Sequence, residues 1–345
     1  MNAVVLTTVG MPGNLCYTQI PIPEPKQDEA LVQVEYCGLN HLDLLIRQGK
    51  RPGPKTFPHI LGSEIVGTIA KNNGAISGFR LGDRVTVYPW TFCSKCKQCT
   101  SGNENICNSG GTMGRTEWGG YAEYVRVRIQ NLIKIPKGLR SEIVCAATLG
   151  ATTAYHLINR AQIKPRCTVL ITGATGGVGT VAIQLLKAKQ CIVICTTSHS
   201  SKIVKLKRLG VDSVVSTKTF LREIKKLYPQ GVDYVIDIMG GFIWSTSVET
   251  LAKNGTMVFC ATTLNESGII NIGNAFARQL NIMGSYGGTK RNLQTVLNLL
   301  HRGTISPIID SIFSLKEAAR ALKRLEHQNV FGKILLRVIS GNFCW

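Results

Sequence analysis

The stretch ITGATGGVGTVAIQLL, residues 171–186, decides the fold. Its glycines stand directly between an apolar strand pattern, CTVLITG, and an amphipathic helical pattern, VGTVAIQLLKAKQ. Glycine permits the tight turn and close backbone approach, and the free N–H groups and dipole at a helix start favour a pyrophosphate. The turn Gly173, Ala174, Thr175, Gly176, Gly177, Val178 and Gly179 is therefore read as a dinucleotide site, with a ligand-free glycine turn as the competing reading. Downstream the same texture repeats: CIVICTT (strand), SKIVKLKRLG (helix), SVVST (strand), FLREIKKLY (helix), VDYVIDI (strand), WSTSVETLAK (helix), GTMVFCA and LNIMGSY (strands). Strand–helix units of this length require right-handed crossovers and give an α/β, doubly wound parallel sheet.

Discrimination between the two nicotinamide cofactors lies after the second strand, where an NAD site carries an acidic residue for the ribose 2′-hydroxyl. Here the chain reads CIVICTTSHSSK, with Thr196, Thr197, Ser198 and Lys202 and no carboxylate. Hydroxyls and a cation suit a 2′-phosphate, so NADP(H) is the expected cofactor, with Ser198 and Lys202 among its contacts.

Upstream, residues 1–148 read as short strands (ALVQVEYCGL, EIVGTIAK, DRVTVYPW, GGYAEYVRVR) broken by Gly and Pro, the texture of an irregular, mainly antiparallel barrel. After about 287 come two helical stretches, RNLQTVLNLLHRG and LKEAARALKRLEH, and a last strand, GKILLRVI, expected to return to the first domain. A chain of 345 residues suits about two domains. No run reaches the roughly 18 apolar residues of a membrane span, and no secretory leader pattern opens the chain, so no membrane role and a cytoplasmic location are expected. The formal charge of +20 raises nucleic acid as a partner, but the basic residues are scattered, with a mild cluster at Lys202, Lys205, Lys207 and Arg208. Without a recognition motif, nucleic acid is not expected as the main function, and the charge suits anionic small molecules instead.

Of the 12 cysteines, four lie in CSKCKQCTSGNENIC, at Cys93, Cys96, Cys99 and Cys107. The C-x2-C-x2-C-x7-C spacing points to a tetrahedral metal rather than to disulfides. The other eight, Cys37, Cys145 and Cys191 among them, read as small core residues.

Taken together, the barrel texture, the GATGGVG turn, the four-cysteine lobe and the terminal FGKILL resemble the medium-chain dehydrogenase/reductase superfamily, the zinc alcohol dehydrogenase and quinone oxidoreductase group. The resemblance covers essentially the whole chain. It implies a GroES-like, mainly-β catalytic domain from residues 1–148 and 287–345, with a Rossmann domain, 149–286, inserted. It also implies a homodimer or homotetramer, one structural Zn2+ in the four-cysteine lobe (about 90–110), and cofactor contacts at Thr153 and Lys333.

The resemblance breaks at the catalytic metal. In zinc alcohol dehydrogenases a cysteine in G-x-C-H/R-S/T-D, a histidine in G-H-E and a later cysteine hold it. The matching positions here are Asn40 (in Gly38-Leu39-Asn40-His41-Leu42-Asp43), Ser63 (in Gly62-Ser63-Glu64) and Leu149. Asn, Ser and Leu do not supply a zinc site of N, S or carboxylate ligands. A substitute set from His41, His59 and Glu64 is the alternative. Without a Lewis acid, the expected chemistry is hydride delivery to an electron-poor acceptor such as a quinone, an enone or an enoyl thioester. Asn40, His41 and Asp43 are the expected catalytic residues: Asn40 from its counterpart in the zinc-free quinone reductases, His41 (or alternatively His59) as a proton donor, Asp43 as a support. An alcohol or aldehyde dehydrogenase with an atypical or absent metal, and an NADPH-sensing protein with little turnover, are the alternative functions for this small-molecule binder.

Overall fold

The computed structural model describes residues 1–54, 56–72, 78–261 and 267–338. The chain divides into two compact units. The first comprises Met1–Leu149, Thr289–His301 and the stretch from Ile308 onward; the second comprises Gly150–Gly288 and Arg302–Pro307. The short piece Arg302–Pro307, placed with the first domain on sequence grounds, groups with the second unit. Gln184 explains this: its Nε2 donates to the Ser306 carbonyl at 3.0 Å, and its Oε1 accepts from the Ser306 N–H at 2.7 Å.

The second unit is built on a six-stranded sheet whose paired neighbours are all parallel. In order across the sheet the strands are Ser213–Ser216, Ile192–Thr197, Thr168–Thr172, Val232–Asp237, Leu251–Phe259 and Asn281–Gly284. Order reverses beside Thr168–Thr172, the strand that feeds the glycine turn, as expected of a doubly wound sheet. The central strands bury both faces, which accounts for their unbroken apolar runs. Most helices fall where the periodicity places them; Phe220–Leu227, for example, buries Phe220 and Ile224, one turn apart. WSTSVETLAK is the exception: the helix runs Gly241–Glu249 and the strand already begins at Leu251. The helices Gly150–Arg160 and Ile272–Ala277 carried no clear sequence signal; the latter buries none of its residues, so nothing imposes a periodic apolar stripe on it.

The first unit carries a seven-stranded sheet with the path Leu132–Lys134, Arg84–Val87, Glu64–Asn72, Glu29–Gly38, Lys333–Arg337, Ile309–Ser314, and Tyr124–Arg128 also pairing with Glu29–Gly38. The last strand does return to the first domain: Leu335 lies opposite Gly38 and Leu336 opposite Cys37. A second sheet joins Leu15–Gln19, Asn2–Leu6 and His59–Ile60. Short helices, His41–Arg47 and Ser141–Ala147, interrupt what the sequence suggested was all strand. Helix Lys290–His301 buries Leu293, Val296, Leu297 and Leu300, and helix Ala318–Glu326 buries Ala318, Ala321, Leu322 and Leu325, both at helical spacing.

Sheet contacts explain one glycine directly. A Cβ on Gly67 would stand 2.0 Å from the Gln33 carbonyl oxygen of the neighbouring strand, which the ladder cannot move. Gly67→Ala is expected to destabilise the first unit by about 3 kcal/mol. Gly13→Ala, where a Cβ meets nothing within 4 Å, serves as the near-neutral control. Paired denaturant midpoints check this, and equal midpoints would contradict it.

Candidate functional site

Strand register brings one cluster together in the first unit. Gly38 lies opposite Leu335 on one side and opposite Glu64 on the other. A Cβ on Gly38 would fall on the Glu64 carboxylate, so glycine here lets that carboxylate cross the strand. Glu64 thereby meets the ammonium of Lys333, and both side chains are buried. Lys333 Nζ also donates to the Leu39 carbonyl at 2.6 Å and to Asn40 Oδ1 at 2.9 Å. Glu64 Oε1 accepts from the Leu149 N–H at 2.8 Å, and Asn40 Nδ2 donates to Ser63 Oγ at 3.4 Å. The positions Asn40, Ser63 and Leu149, far apart in sequence, therefore meet around one buried ion pair.

That pair also settles which way the Asn40 amide faces. An ammonium has donors only, so the atom it meets is the carbonyl oxygen and the NH2 group faces the other way. One of its N–H bonds points to Ser63. The positive charge on Oδ1 polarises the amide and strengthens the remaining donor.

Asp43 is the second buried carboxylate. It accepts from the Asn40 N–H at 2.9 Å, the Tyr121 hydroxyl at 3.0 Å and the Gly62 N–H at 3.3 Å. It thus ties the turn before helix His41–Arg47 to the turn carrying Ser63. Gly62 has a φ of +97°, and a Cβ there would lie 2.5 Å from the Tyr121 ring, so the turn needs glycine twice over. Burial pushes the Asp43 carboxyl up to about 6 in spite of its three donors. Through the Asn40 N–H, Asp43 holds the backbone that carries the Asn40 amide. Tyr121, which completes this network, has no motif that marks it in the sequence.

The remaining candidates separate. His41 starts its helix and is exposed. His59 is buried on strand His59–Ile60, with Nε2 lacking a partner and burial lowering its pKa. The substitute set His41, His59 and Glu64 does not assemble: among the described residues, the four lobe cysteines are the one group of three or more such side chains within reach of a single ion. Lys333, expected at the cofactor, places its ammonium against Glu64, the Leu39 carbonyl and Asn40, because its strand lies beside Gly38. Cys37, Cys145, Cys191 and Cys195 are buried thiols, but Cys16 is exposed, and Cys344 lies outside the described residues.

Cys93, Cys96, Cys99 and Cys107 do come together, with Sγ–Sγ separations of 3.9 Å (Cys93–Cys99), 3.6 Å (Cys96–Cys99) and 3.8 Å (Cys96–Cys107). A tetrahedron with Zn–S bonds of about 2.3 Å has edges of about 3.8 Å, so these residues fit zinc. Backbone N–H groups of Lys95 and Cys96 pull the Cys93 thiol down to about 6, toward the thiolate a metal needs. Four thiolates close the coordination sphere, which makes the site structural. Between the third and fourth cysteines, Glu104 accepts from the Lys290 N–H at 2.5 Å, capping helix Lys290–His301, and Lys290 Nζ donates to the Gln130 carbonyl at 2.6 Å.

In the second unit, Gly173 has a φ of +70°, with a would-be Cβ 3.0 Å from Met239 Sδ. Gly179 would put a Cβ 2.5 Å from the Ala174 backbone, so helix Gly177–Ala188 rests directly on the turn. A Cβ on Gly176, by contrast, meets nothing closer than 4.0 Å: that side of the turn faces open space. The first N–H groups of this helix have no acceptors within it. Thr153, on helix Gly150–Arg160, has a buried hydroxyl oxygen without a partner, and Gly150 of the same helix abuts Gly177. An open glycine turn at a helix start beside an orphaned hydroxyl fits a dinucleotide. Asp237 braces the turn, accepting from Thr172 Oγ1 at 2.7 Å and from the N–H groups of Gly240 at 2.7 Å and Met239 at 3.1 Å. Ser198 is exposed beyond strand Ile192–Thr197, whereas Lys202 is largely buried.

Comparison with known proteins agrees with this geometry. Residues 26–137 match the alcohol dehydrogenase GroES-like domain, and residues 177–302 match zinc-binding dehydrogenase. An acryloyl-coenzyme A reductase of Sulfurisphaera tokodaii is 33% identical over 324 residues, covering 92% of this chain and 95% of that protein. An NAD-dependent alcohol dehydrogenase of Sulfolobus acidocaldarius is 31% identical over 350 residues, covering 98% and 100%. The cobalt- and zinc-bound thermostable alcohol dehydrogenase from Pyrobaculum aerophilum superposes with a TM-score of 0.90 at 30% identity, covering 98% of this chain and 99% of that one.

Two outcomes follow from the lobe and from Asp43. Metal analysis is expected to find zinc that Cys99→Ser removes, and stripping it to speed hydrogen exchange at the start of helix Lys290–His301; unchanged exchange there would break the link through Glu104. For Asp43, a folded pKa above the unfolded one of about 3.9 means its contribution to stability is greatest below pH 4. That contribution falls as pH rises through about 6, by at most roughly 3 kcal/mol. Carboxyl-carbon NMR should find the titration near 6, and Asp43→Asn should abolish this part of the pH slope of stability.

Proposed function

The chain belongs to the medium-chain dehydrogenase/reductase superfamily, in its zinc-type alcohol dehydrogenase-like branch, and is an NAD(P)-dependent oxidoreductase; from that premise we propose that it is an NADPH-dependent reductase of quinones or activated C=C bonds, acting without a catalytic zinc. One observation carries the reading. The three positions where the resemblance expects metal ligands meet at the Lys333–Glu64 pair: the Asn40 amide accepts from the ammonium, the Ser63 hydroxyl accepts from that amide, and Leu149 offers only its backbone N–H, to Glu64. A second cation beside that ammonium would be repelled, and neither the amide nor the hydroxyl is a thiolate, imidazole or carboxylate.

Bound NADPH supplies a hydride to the electron-poor carbon of the acceptor. The residues of this chain supply the complement. Asn40 Nδ2–H donates to the acceptor oxygen, on which negative charge develops as an enolate or phenolate forms. Lys333, held by Glu64, keeps the amide facing outward and adds positive potential to that donor. Asp43 and Tyr121 hold the Asn40 backbone, so the donor needs little reorganisation at the moment of reaction. The open glycine turn takes the pyrophosphate. Thr197, Ser198 and Lys202, with no carboxylate among them, favour a 2′-phosphate.

Relatives named alcohol dehydrogenases support a second reading, oxidation of an alcohol at an atypical metal. Oxidation of NADPH by a panel of quinones, enones and enoyl thioesters separates the two. The reductase should turn over at least one class with zinc in the lobe alone. Asn40→Ala should lower kcat by about 10²-fold with little change in KM for NADPH. Lys202→Ala should weaken NADPH about tenfold and leave NADH unaffected. Silence across the whole panel, or alcohol oxidation that requires a second metal, would end the proposal.

A further inference from the structure

We infer that Arg115 receives an anionic group of the substrate, so that the preferred acceptors are activated alkenes bearing a carboxylate or phosphate rather than neutral enones or quinones. This inference rests on the reductase reading and adds the substrate's charge to it.

The starting point is an arginine without a counter-charge. Arg115 is half-buried, and among the described residues its fully buried Nε has no acceptor and its guanidinium forms no ion pair. Glu117, the nearest carboxylate in sequence, is exposed and forms no ion pair among the described residues. The other inward-lying arginines of the first unit are all engaged. Arg47, whose Nε is likewise buried without an acceptor, still pairs with Glu326 at 3.0 Å; Arg84 donates to the Leu139 carbonyl at 2.8 Å and Ser141 Oγ at 2.9 Å, Arg126 pairs with Glu29 at 3.1 Å, and Arg51 also has a protein partner. A guanidinium carries five donors in a fixed fork, and leaving one covered but unpaired is costly. An exception of this sort calls for a ligand as its explanation.

Location supplies the second observation. The loop of residues 111–120 is pressed onto the turn that carries Ser63. A Cβ on Gly114 would lie 2.6 Å from the Gly62 nitrogen, and one on Gly119 would lie 2.2 Å from the Gly62 oxygen. Gly114, with a φ of +76°, immediately precedes Arg115, and Gly62 immediately precedes Ser63, whose Oγ accepts from Asn40. Arg115 thus springs from the backbone packed against the Asn40–Ser63 pair.

The loop is also held rigid. The Gly114 N–H donates to the Glu117 carbonyl at 2.9 Å, the Arg115 N–H to the Thr112 carbonyl at 3.0 Å, and the Thr112 N–H to Thr116 Oγ1 at 2.9 Å. Binding at Arg115 therefore orders only one side chain. His59, bonded to Gly114 from the neighbouring strand, is kept toward its neutral form by burial and brings no competing charge. Trp118, three residues on, is partly exposed and offers an apolar face for the rest of the ligand. A guanidinium meets carboxylate and phosphate with the same two-pronged geometry, so the anion is either part of the alkene or part of a phosphorylated thioester carrier.

Matched substrates distinguish the two sources. One pair is crotonyl-coenzyme A and the uncharged crotonyl-N-acetylcysteamine; the other is 4-oxopent-2-enoate and its methyl ester. Arg115→Gln should raise KM at least tenfold for the charged member of one pair, leave its neutral member within twofold, and recover in part in Arg115→Lys. Loss confined to the coenzyme A pair identifies a phosphate; loss confined to the oxopentenoate pair identifies a carboxylate. Equal effects on charged and neutral members, or none on either, overturn the inference. Should the wild type reduce no acceptor, the reductase reading falls, and Trp118 fluorescence titrated with coenzyme A and with succinate decides the anion site alone. Saturable quenching that Arg115→Gln abolishes supports the site, whereas quenching that survives the substitution, or no quenching at all, refutes it.

Discussion

A buried ammonium–carboxylate pair, Lys333 with Glu64, is the constraint on which the rest of the first unit's site depends. Taking two charges out of water costs several kcal/mol each, and the cost is met only where geometry is close and the leftover donors and acceptors find partners. Both conditions hold here. Glu64 reaches across a glycine and takes the Leu149 N–H, and Lys333 spends its other hydrogens on Leu39 and Asn40. Such a pair contributes little net stability, but losing one partner leaves an uncompensated charge and costs about 3–5 kcal/mol. Its main effect is on specificity, because it sets the face Asn40 presents.

The arrangement separates two tasks for a cation. In the lobe, four thiolates fit a metal whose coordination sphere is then complete, and Glu104 carries that order to the start of helix Lys290–His301. Around Asn40, a lysine on the protein's own strand supplies the positive charge. An ammonium cannot act as a Lewis acid on substrate; in the proposed reaction its charge would act through the amide on a developing enolate. This difference suits reduction of acceptors already electron-poor better than oxidation of plain alcohols.

The excess of basic residues fits the same picture. A formal charge of +20 spread along the chain gives a broad field that draws anions in without selecting among them. Selection needs a positioned, desolvated donor group, and among the described residues Arg115 is a half-buried arginine of the first unit without an ion pair.

Features written in short, contiguous stretches are legible in the sequence itself. The glycine turn is one, because strand, turn and helix follow one another in 16 residues and each glycine answers a local need. The parallel sheet is another, since alternating strands and helices of that length leave little topological choice. The cysteine lobe is a third, its ligands spanning 15 residues. Helices with an apolar stripe were legible; Ile272–Ala277, which buries nothing, was not. By itself, then, the sequence determined the two-part architecture, the dinucleotide turn, the metal lobe and the ligand types missing at Asn40, Ser63 and Leu149. Tertiary structure alone decided that these three positions meet, that Lys333 belongs with Asn40 across 293 residues of chain, that Asp43 and Tyr121 brace it, and that the backbone leading into Arg115 packs on the turn before Ser63. The reason is that such contacts are set by strand register and by which backbone segments lack a Cβ at the point of approach, and neither leaves a periodic trace in the order of residues.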